Sequence, residues 1–271
     1  MNIINWKKRP LVYALVITSG FWFLISLLEN LPDRFYFVGS VFLYLILLFE
    51  LYSTKYYARR LLDQFQLPQV DEKDKLIHLI HHFILPSFAY FSFVLFVFFN
   101  HQKSTHLIIL AIIFIIFSIL FTNVRAYYED KFKLEQGTHA IYDIIVIIMM
   151  FVSSDSALQT FGFLGSSGWV TLAAILIAYT VLSMLLLIRK QQINNRSLQT
   201  LVVGALLLIA FLLVLQSFRF NNFAVALLST LLFYFVVAVF HHQQVSSLSK
   251  AIIGEYFVVF LIFIVLMYGV V

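Results

Sequence analysis

Long uncharged runs of apolar residues, separated by short polar segments, dominate the pattern along the chain. A helix rises about 1.5 Å per residue, so about 20 apolar residues cross the roughly 30 Å hydrocarbon layer of a bilayer. Nine runs have about that length. They predict transmembrane helices at residues 10–28, 34–53, 76–99, 105–127, 139–161, 169–188, 198–217, 222–240 and 251–271.

The composition agrees with this pattern, because 62% of the 271 residues are hydrophobic and only 11% are charged. Soluble domains contain roughly 45–50% apolar and about 25% charged residues. The 13 acidic and 18 basic side chains are too few to cover a water-exposed surface on a chain with 31 Phe and 14 Tyr. We therefore expect an all-α, polytopic integral membrane helix bundle with the lipid bilayer as its surroundings.

The basic residues predict the orientation of the nine spans, since Lys and Arg in short loops favour the cytoplasmic side. With the N-terminus inside, 15 of the 18 basic residues lie in cytoplasmic segments. These are Lys7, Lys8, Arg9, Lys55, Arg59, Arg60, Lys73, Lys75, Arg125, Lys131, Lys133, Arg189, Lys190, Arg196 and Lys250. Only Arg34, Lys103 and Arg219 lie outside. One missed span would invert every later loop, so this division predicts nine crossings with a cytoplasmic N-terminus and an outer C-terminus.

The chain is expected to form one transmembrane domain over residues 1–271 of an inner or plasma membrane protein, without a soluble domain. The longest polar segment, residues 54–75, predicts a cytoplasmic connector that lies at the membrane surface. The net charge of +5 follows from the cytoplasmic loops, so we expect no nucleic-acid partner. The absence of cysteine excludes disulfides, thiolate metal sites and cysteine nucleophiles.

Ionisable side chains within the spans are candidates for function, because each costs at least about 2.5 kcal/mol near the bilayer centre. Four of them, Glu50, His82, Asp143 and Glu255, lie at similar depth in the predicted cytoplasmic half. Three further residues stand near that depth: His78, His139 and Arg125. His78 and His82 are four residues apart, as are His139 and Asp143, so each pair projects from one helix face.

Three kinds of chemistry suit this cluster. Imidazoles and carboxylates bind zinc and other divalent transition metals, so His78, His82, His139 and Asp143 are the predicted metal ligands, with no other cofactor indicated. The same groups suit a proton relay or, together with Arg125, a phosphate head group. Structural pairing competes with all three, because buried charges in bilayers persist mostly when an opposite charge such as Arg125 neutralises them.

A second polar patch, residues 153–156, allows two interpretations of the fifth span. We favour an outer loop that contains Asp155 and continues through the glycine-rich residues 161–168, because Ser and Gly suit turns. If the helix instead continues, Asp155 is an outer-leaflet counterpart of Asp143.

The sequence contains no metalloprotease, phosphate-binding-loop or serine-hydrolase motif. We expect a non-enzymatic membrane component that binds a partner protein, a lipid head group or an ion through the cytoplasmic-leaflet cluster. One alternative is a metal-dependent intramembrane enzyme that acts on a lipid-linked or head-group substrate. The other is a proton- or cation-coupled transporter.

Overall fold

The computed structural model of the chain describes residues 3–64, 83–100, 105–129, 136–189, 195–216 and 220–244, and five single positions between residues 254 and 265. Eight helices lie in these ranges. They are α1 (Ile3–Asn30), α2 (Asp33–Gln64), α3 (Leu85–Phe99), α4 (His106–Glu129), α5 (Gln136–Phe163), α6 (Gly168–Arg189), α7 (Asn195–Gln216) and α8 (Asn222–Gln244).

Each of the first eight predicted spans overlaps one of these helices. Six segments are long and apolar enough to cross a membrane: Arg9–Asn30, Asp33–Tyr56, Tyr142–Phe163, Gly168–Ile188, Ser197–Leu215 and Asn222–Val239. Two shorter apolar segments belong to α3 and α4. The protein is therefore a multi-pass integral membrane protein. The ninth predicted span, residues 251–271, lies outside the described residues except for its five single positions, all of which are helical.

Helix α2 ends later than the hydrophobic pattern predicts, whereas the start of the third predicted span is only partly described. α2 continues to Gln64, so the first half of the predicted connector is an extension of this span. That extension contains neither Gly nor Pro, and its Ala, Leu, Lys and Arg residues are good helix formers. α3 begins at Leu85 with Pro86 in its first turn, and residues 83 and 84 directly before it are helical too. The earlier part of the predicted third span, residues 76–82, lies outside the described residues.

Helix α5 corrects the interpretation of Asp155. The helix continues to Phe163, so the prediction that Asp155 lies in an outer loop was wrong. The Ser153 hydroxyl donates to the Met150 carbonyl at 3.2 Å, and the Ser156 hydroxyl donates to the Val152 carbonyl at 2.7 Å. These bonds satisfy the two serines within the helix, so a run of serines does not have to end it.

The end of α5 is set by Gly165, which has a φ of 61°. The Ser166 N–H donates to the Phe161 carbonyl at 2.9 Å, and the Gly165 N–H donates to the Gly162 carbonyl at 3.1 Å. This is a Schellman ending, in which a left-handed residue lets the chain turn while the last carbonyls stay bonded. Glycine suits that backbone because it has no Cβ.

Two compact units make up the chain, Met1–His139 and Ala140–Val271. In the first unit, α1 and α2 are antiparallel and approach closely at two glycines. A Cβ at Gly20 would overlap the side chain of Leu43, and a Cβ at Gly39 would lie 2.8 Å from Leu24. Each glycine thus accommodates a leucine of the opposite helix, which is the small-residue packing that favours association in lipid.

Two tyrosines connect α2 with α3 in the same unit. The Tyr36 hydroxyl donates to the Val94 carbonyl at 2.6 Å, and the Tyr90 hydroxyl donates to the Ser40 carbonyl at 2.5 Å. Both rings are buried. A helical carbonyl keeps a second lone pair, so each bond satisfies a buried hydroxyl without opening the helix. The order of the contacts makes α2 and α3 antiparallel.

The second unit packs α6, α7 and α8 around Tyr179. Its hydroxyl donates to the Leu201 carbonyl of α7 at 3.2 Å, and its ring meets Phe233 of α8 edge-on at 5.7 Å. Gly204 of α7 lies against the Tyr179 hydroxyl and the Val236 methyl groups. The close packing of these three helices therefore depends on the absence of a side chain at Gly204.

The substitution Gly204→Ala is expected to lower the free energy of unfolding by about 1–3 kcal/mol, because the new methyl group would overlap the Tyr179 hydroxyl and crowd Val236 at 3.0 Å. Thermal unfolding of the purified protein in a mild detergent measures the effect. Gly162→Ala is the matched control, since a Cβ there meets no atom within 4 Å. Equal unfolding temperatures for the two variants would contradict the packing at Gly204.

Candidate functional site

A charged cluster forms in the first unit, where the start of α1 lies beside the late part of α2. Arg9 is the first residue of the candidate span of α1, and Glu50 lies about 9 Å inside the end of the α2 span at Tyr56. The Arg9 Nε donates to Glu50 Oε1 at 3.2 Å, and the Arg9 Nη2 donates to Glu50 Oε2 at 3.0 Å. This two-bond pairing is the strongest geometry available to a guanidinium and a carboxylate.

Hydroxyl groups complete the coordination of the Glu50 carboxylate. The Thr54 hydroxyl donates to Oε1 at 2.8 Å. The Ser53 hydroxyl lies 3.1 Å from both Oε2 and the Glu50 carbonyl oxygen, and it accepts a bond of 2.5 Å from Arg9 Nη2. Both carboxylate oxygens therefore accept a bond from Arg9, Oε1 accepts a second bond from Thr54, and the one proton of Ser53 is within reach of Oε2. Glu50 is only 3% exposed, yet its charge is neutralised and its oxygens are bonded.

An aromatic ring covers the guanidinium from its own helix. The Arg9 Cζ lies 5.3 Å from the centre of the Tyr13 ring, one turn further along α1. A guanidinium over a ring face is stabilised by the quadrupole of the ring, more strongly where water is excluded. The cluster of Arg9, Tyr13, Glu50, Ser53 and Thr54 is thus a closed polar network, which we call the Arg9–Glu50 network.

The other predicted site residues fall in different places. Asp143 lies in the second turn of α5, half-buried, in the second unit, whereas Glu50 belongs to the first unit. Arg125 and His139 lie on α4 and α5, but their side chains are outside the described part of the chain. Three residues lie outside the described residues altogether: His78, His82 and Glu255.

The predicted metal site of His78, His82, His139 and Asp143 therefore stays a prediction. Among the side chains that the structure describes, no three His, Asp or Glu residues come together in a way that suits a metal ion. Asp143 is the only predicted ligand within that described set.

Sequence reasoning missed the role of Arg9. Counting basic residues for orientation places Arg9 in a cytoplasmic loop, while the hypothesis of charge pairing named Arg125 instead. The signal that finds Arg9 is its position directly before the apolar run of α1. In an antiparallel pair of spans, the long side chain of a residue at that position can reach Glu50, whose charge needs an opposite one.

The charge-reducing substitution Glu50→Gln is expected to lower the free energy of unfolding by about 3–5 kcal/mol, because Arg9 then remains half-buried without its counter-charge. The double variant Arg9→Met with Glu50→Met is expected to recover most of this loss, since it removes both charges. Thermal unfolding of Glu50→Gln measures the loss. Thermal unfolding of the four proteins of a double-mutant cycle, which are the unaltered protein, Arg9→Met, Glu50→Met and the double variant, measures the coupling.

Glu29→Gln is the matched control for this cycle. Glu29 lies on α1, as Arg9 does. Its side chain is more exposed than that of Glu50, and the ionic partner that the structure describes for it, His106, lies 3.9 Å away. Pairs of this kind contribute about 0–1 kcal/mol. Additive effects of the two methionine substitutions would contradict a coupled Arg9–Glu50 network.

Comparisons with known proteins gave one match. A family described as "Protein of unknown function (DUF5656)" matches residues 57–270. No curated protein matches the chain, and no solved structure matches it. The matched range begins after Arg9 and Glu50 and includes Asp143.

Proposed function

Because the chain belongs to DUF5656, a family of proteins of unknown function, we propose a role from its own residues: a non-enzymatic membrane component that binds a partner protein, a lipid head group or an ion in the cytoplasmic half of the bilayer. The observation that supports this role is the saturation of Glu50. Its carboxylate oxygens are occupied by Arg9, Ser53 and Thr54, and the side chain is buried.

A carboxylate in that state is a poor general base and a poor metal ligand, since a proton or a metal would have to displace bonds already made. Glu50 therefore belongs to the architecture of the first unit. Binding falls to the remaining predicted residues, which are His78, His82, His139, Asp143, Arg125 and Glu255. The family match favours this division, because residues 57–270 contain all six of them but not Glu50.

The proposal includes an orientation in the inner or plasma membrane, with nine crossings, a cytoplasmic N-terminus and an outer C-terminus. The antiparallel order of α1, α2 and α3 supports alternation at the start of the chain. For the ninth crossing, Val258, Leu261, Ile262 and Val265 are helical, share one helix face and are exposed. A row of exposed apolar residues is what a lipid-facing helix presents.

Orientation is testable by labelling, because the chain has no cysteine. In intact cells, Lys103→Cys is expected to react with a membrane-impermeant maleimide, and Arg196→Cys is expected to react only after the membrane is opened. The reason is that the proposed order places residue 103 outside and residue 196 inside. Labelling of both residues from the same side would contradict the nine-span map and the common depth of the six proposed binding residues.

Binding is testable by native mass spectrometry of protein extracted with its surrounding lipids. Asp143→Asn and Arg125→Gln are expected to reduce the fraction of protein that retains a lipid, an ion or a partner chain, because each removes one charge from the proposed site. Arg34→Gln is the control, since Arg34 also lies at a helix end but on the proposed outer side, next to the ring of Phe35.

The identity of the bound mass separates the possible classes of function. A retained phospholipid or a second polypeptide supports the proposal. Stoichiometric zinc, manganese or iron together with turnover of a lipid substrate would replace it with the metal-dependent enzyme. If Asp143→Asn, Arg125→Gln and Arg34→Gln all retain the same fraction of bound lipid, ion or partner chain, the result contradicts a role for Arg125 and Asp143.

A further inference from the structure

The first unit carries a concentration of basic residues at the end where α1 begins and α2 continues beyond its span. α1 contains two lysines directly before Arg9, and the part of α2 after Tyr52 contains one lysine and two arginines. Asp63 is the only acidic residue among residues 3–8 and 51–64, so five basic residues and one acidic residue give a net charge of +4. We call the five basic residues the basic end of the α1–α2 pair: Lys7, Lys8, Lys55, Arg59 and Arg60.

The Arg9–Glu50 network fixes the level at which the two helices meet. Arg9 Nη2 donates to the Ser53 hydroxyl as well as to Glu50. Because the helices are antiparallel and rise about 1.5 Å per residue, the lysines before Arg9 and the lysine two residues after Ser53 lie within about 3 Å of one level. Axes of packed helices are about 8–10 Å apart, which is close to the Debye length of about 8 Å at physiological ionic strength. The charges of α1 and α2 therefore act together on a nearby ligand.

The level of the basic end coincides with the headgroup layer of a bilayer. The candidate span of α1 begins at Arg9, and that of α2 ends at Tyr56. At about 1.5 Å per residue, the five basic residues lie between about 2 Å inside and about 6 Å outside these boundaries. The headgroup region occupies roughly 5–8 Å on each side of the hydrocarbon core. Because α2 continues as a helix to Gln64, its two arginines extend into that region on a helix.

Carboxylates of the chain do not balance this charge. Among the side chains that the structure describes in α1, α2 and α3, Glu50 is the only carboxylate at this end, and Arg9 neutralises it. Glu29 and Asp33 lie at the opposite ends of their helices. The connecting residues 65–82 contain two basic and three acidic residues, so their charges together reduce the excess only from +4 to +3. The basic end therefore suits an anion from outside the chain.

Exposed aromatic rings border the basic end. Phe49, Tyr52 and Tyr56 of α2 are three and four residues apart, so they follow one helix face, and each is more than half exposed. Lys55 lies beside this face, where its Nζ is 5.6 Å from the centre of the Phe83 ring. A phenylalanine within the hydrocarbon, followed by tyrosines at its boundary, is the order that suits acyl chains and then headgroups.

We propose that the basic end of the α1–α2 pair binds anionic phospholipid, with its lysines and arginines attracting the headgroup phosphate and the aromatic face of α2 contacting the acyl chains. Clusters of about four to eight Lys and Arg residues next to a transmembrane helix favour anionic lipids. A zwitterionic phospholipid has no net charge and lacks this attraction. The surface is separate from the site under Proposed function, because none of the six binding residues proposed there belongs to it.

Native mass spectrometry of the purified full-length protein measures the lipid preference. The protein is equilibrated in detergent with equal amounts of phosphatidylglycerol and phosphatidylcholine of one acyl chain length, and one lipid is deuterated so that the masses separate. Phosphatidylglycerol is expected to bind at least about fivefold more, since one basic residue near a membrane surface contributes up to about fivefold. Raising the ammonium acetate concentration is expected to reduce this preference, because salt screens exposed charges.

Paired substitutions assign the preference to the two helices. Lys7→Gln with Lys8→Gln, and Arg59→Gln with Arg60→Gln, are each expected to lower the ratio of bound phosphatidylglycerol to phosphatidylcholine at least about twofold, because each pair removes two positive charges. Lys7→Arg with Lys8→Arg keeps both charges and is expected to keep the ratio. This variant separates electrostatic attraction from damage to α1.

Arg34→Gln with Lys103→Gln is the matched control, since it removes the same charge from the predicted outer side. Three results would overturn the surface: equal binding of the two lipids by the unaltered protein, an unchanged ratio in both glutamine double variants of the basic end, and an equal fall in the control. A fall in only one of those two double variants assigns the surface to that helix. Failure here leaves the site under Proposed function unaffected, because Arg125 and Asp143 are tested by their own variants.

Discussion

The hydrocarbon layer contains no water, so each polar group that enters it must find its partner inside the protein. The described helices meet this requirement in several ways. Glu50 is bonded by Arg9 and by neighbouring hydroxyls, Tyr36 uses a carbonyl of the next helix, and Ser153 uses one of its own. The fold is thus determined as much by where polar groups are satisfied as by where apolar groups are buried.

The same solvent changes what drives helices together. Lipid chains are as apolar as leucine, so burying leucine between helices gains little, and close packing with interhelical hydrogen bonds has to supply the attraction. Gly20 and Gly39 admit leucines between α1 and α2, and Gly204 admits Tyr179 between α6, α7 and α8. At each contact a glycine of one helix faces a large side chain of a neighbouring helix. The backbones can then approach closely, which increases van der Waals contact over a short length of helix.

The two most deeply buried carboxylates of the described helices accept bonds from side chains of the protein. In the Arg9–Glu50 network both carboxylate oxygens accept bonds from Arg9, and neighbouring hydroxyl groups surround them, so the network holds α1 and α2 in register. Asp155 of α5 is also buried, and it accepts a bond from the Gln159 amide one turn later.

The presence of a helix at each of the first eight predicted spans was predictable, because crossing a bilayer requires a continuous apolar length that is a local property of the sequence. The continuation of α5 past Asp155 was not, since serine hydroxyls that bond within a helix look in sequence like those that form turns. Nor was the Arg9–Glu50 pair, which depends on the rotation of each helix about its axis. Hydrophobic length leaves that rotation undetermined, and only the contacts between neighbouring helices decide it.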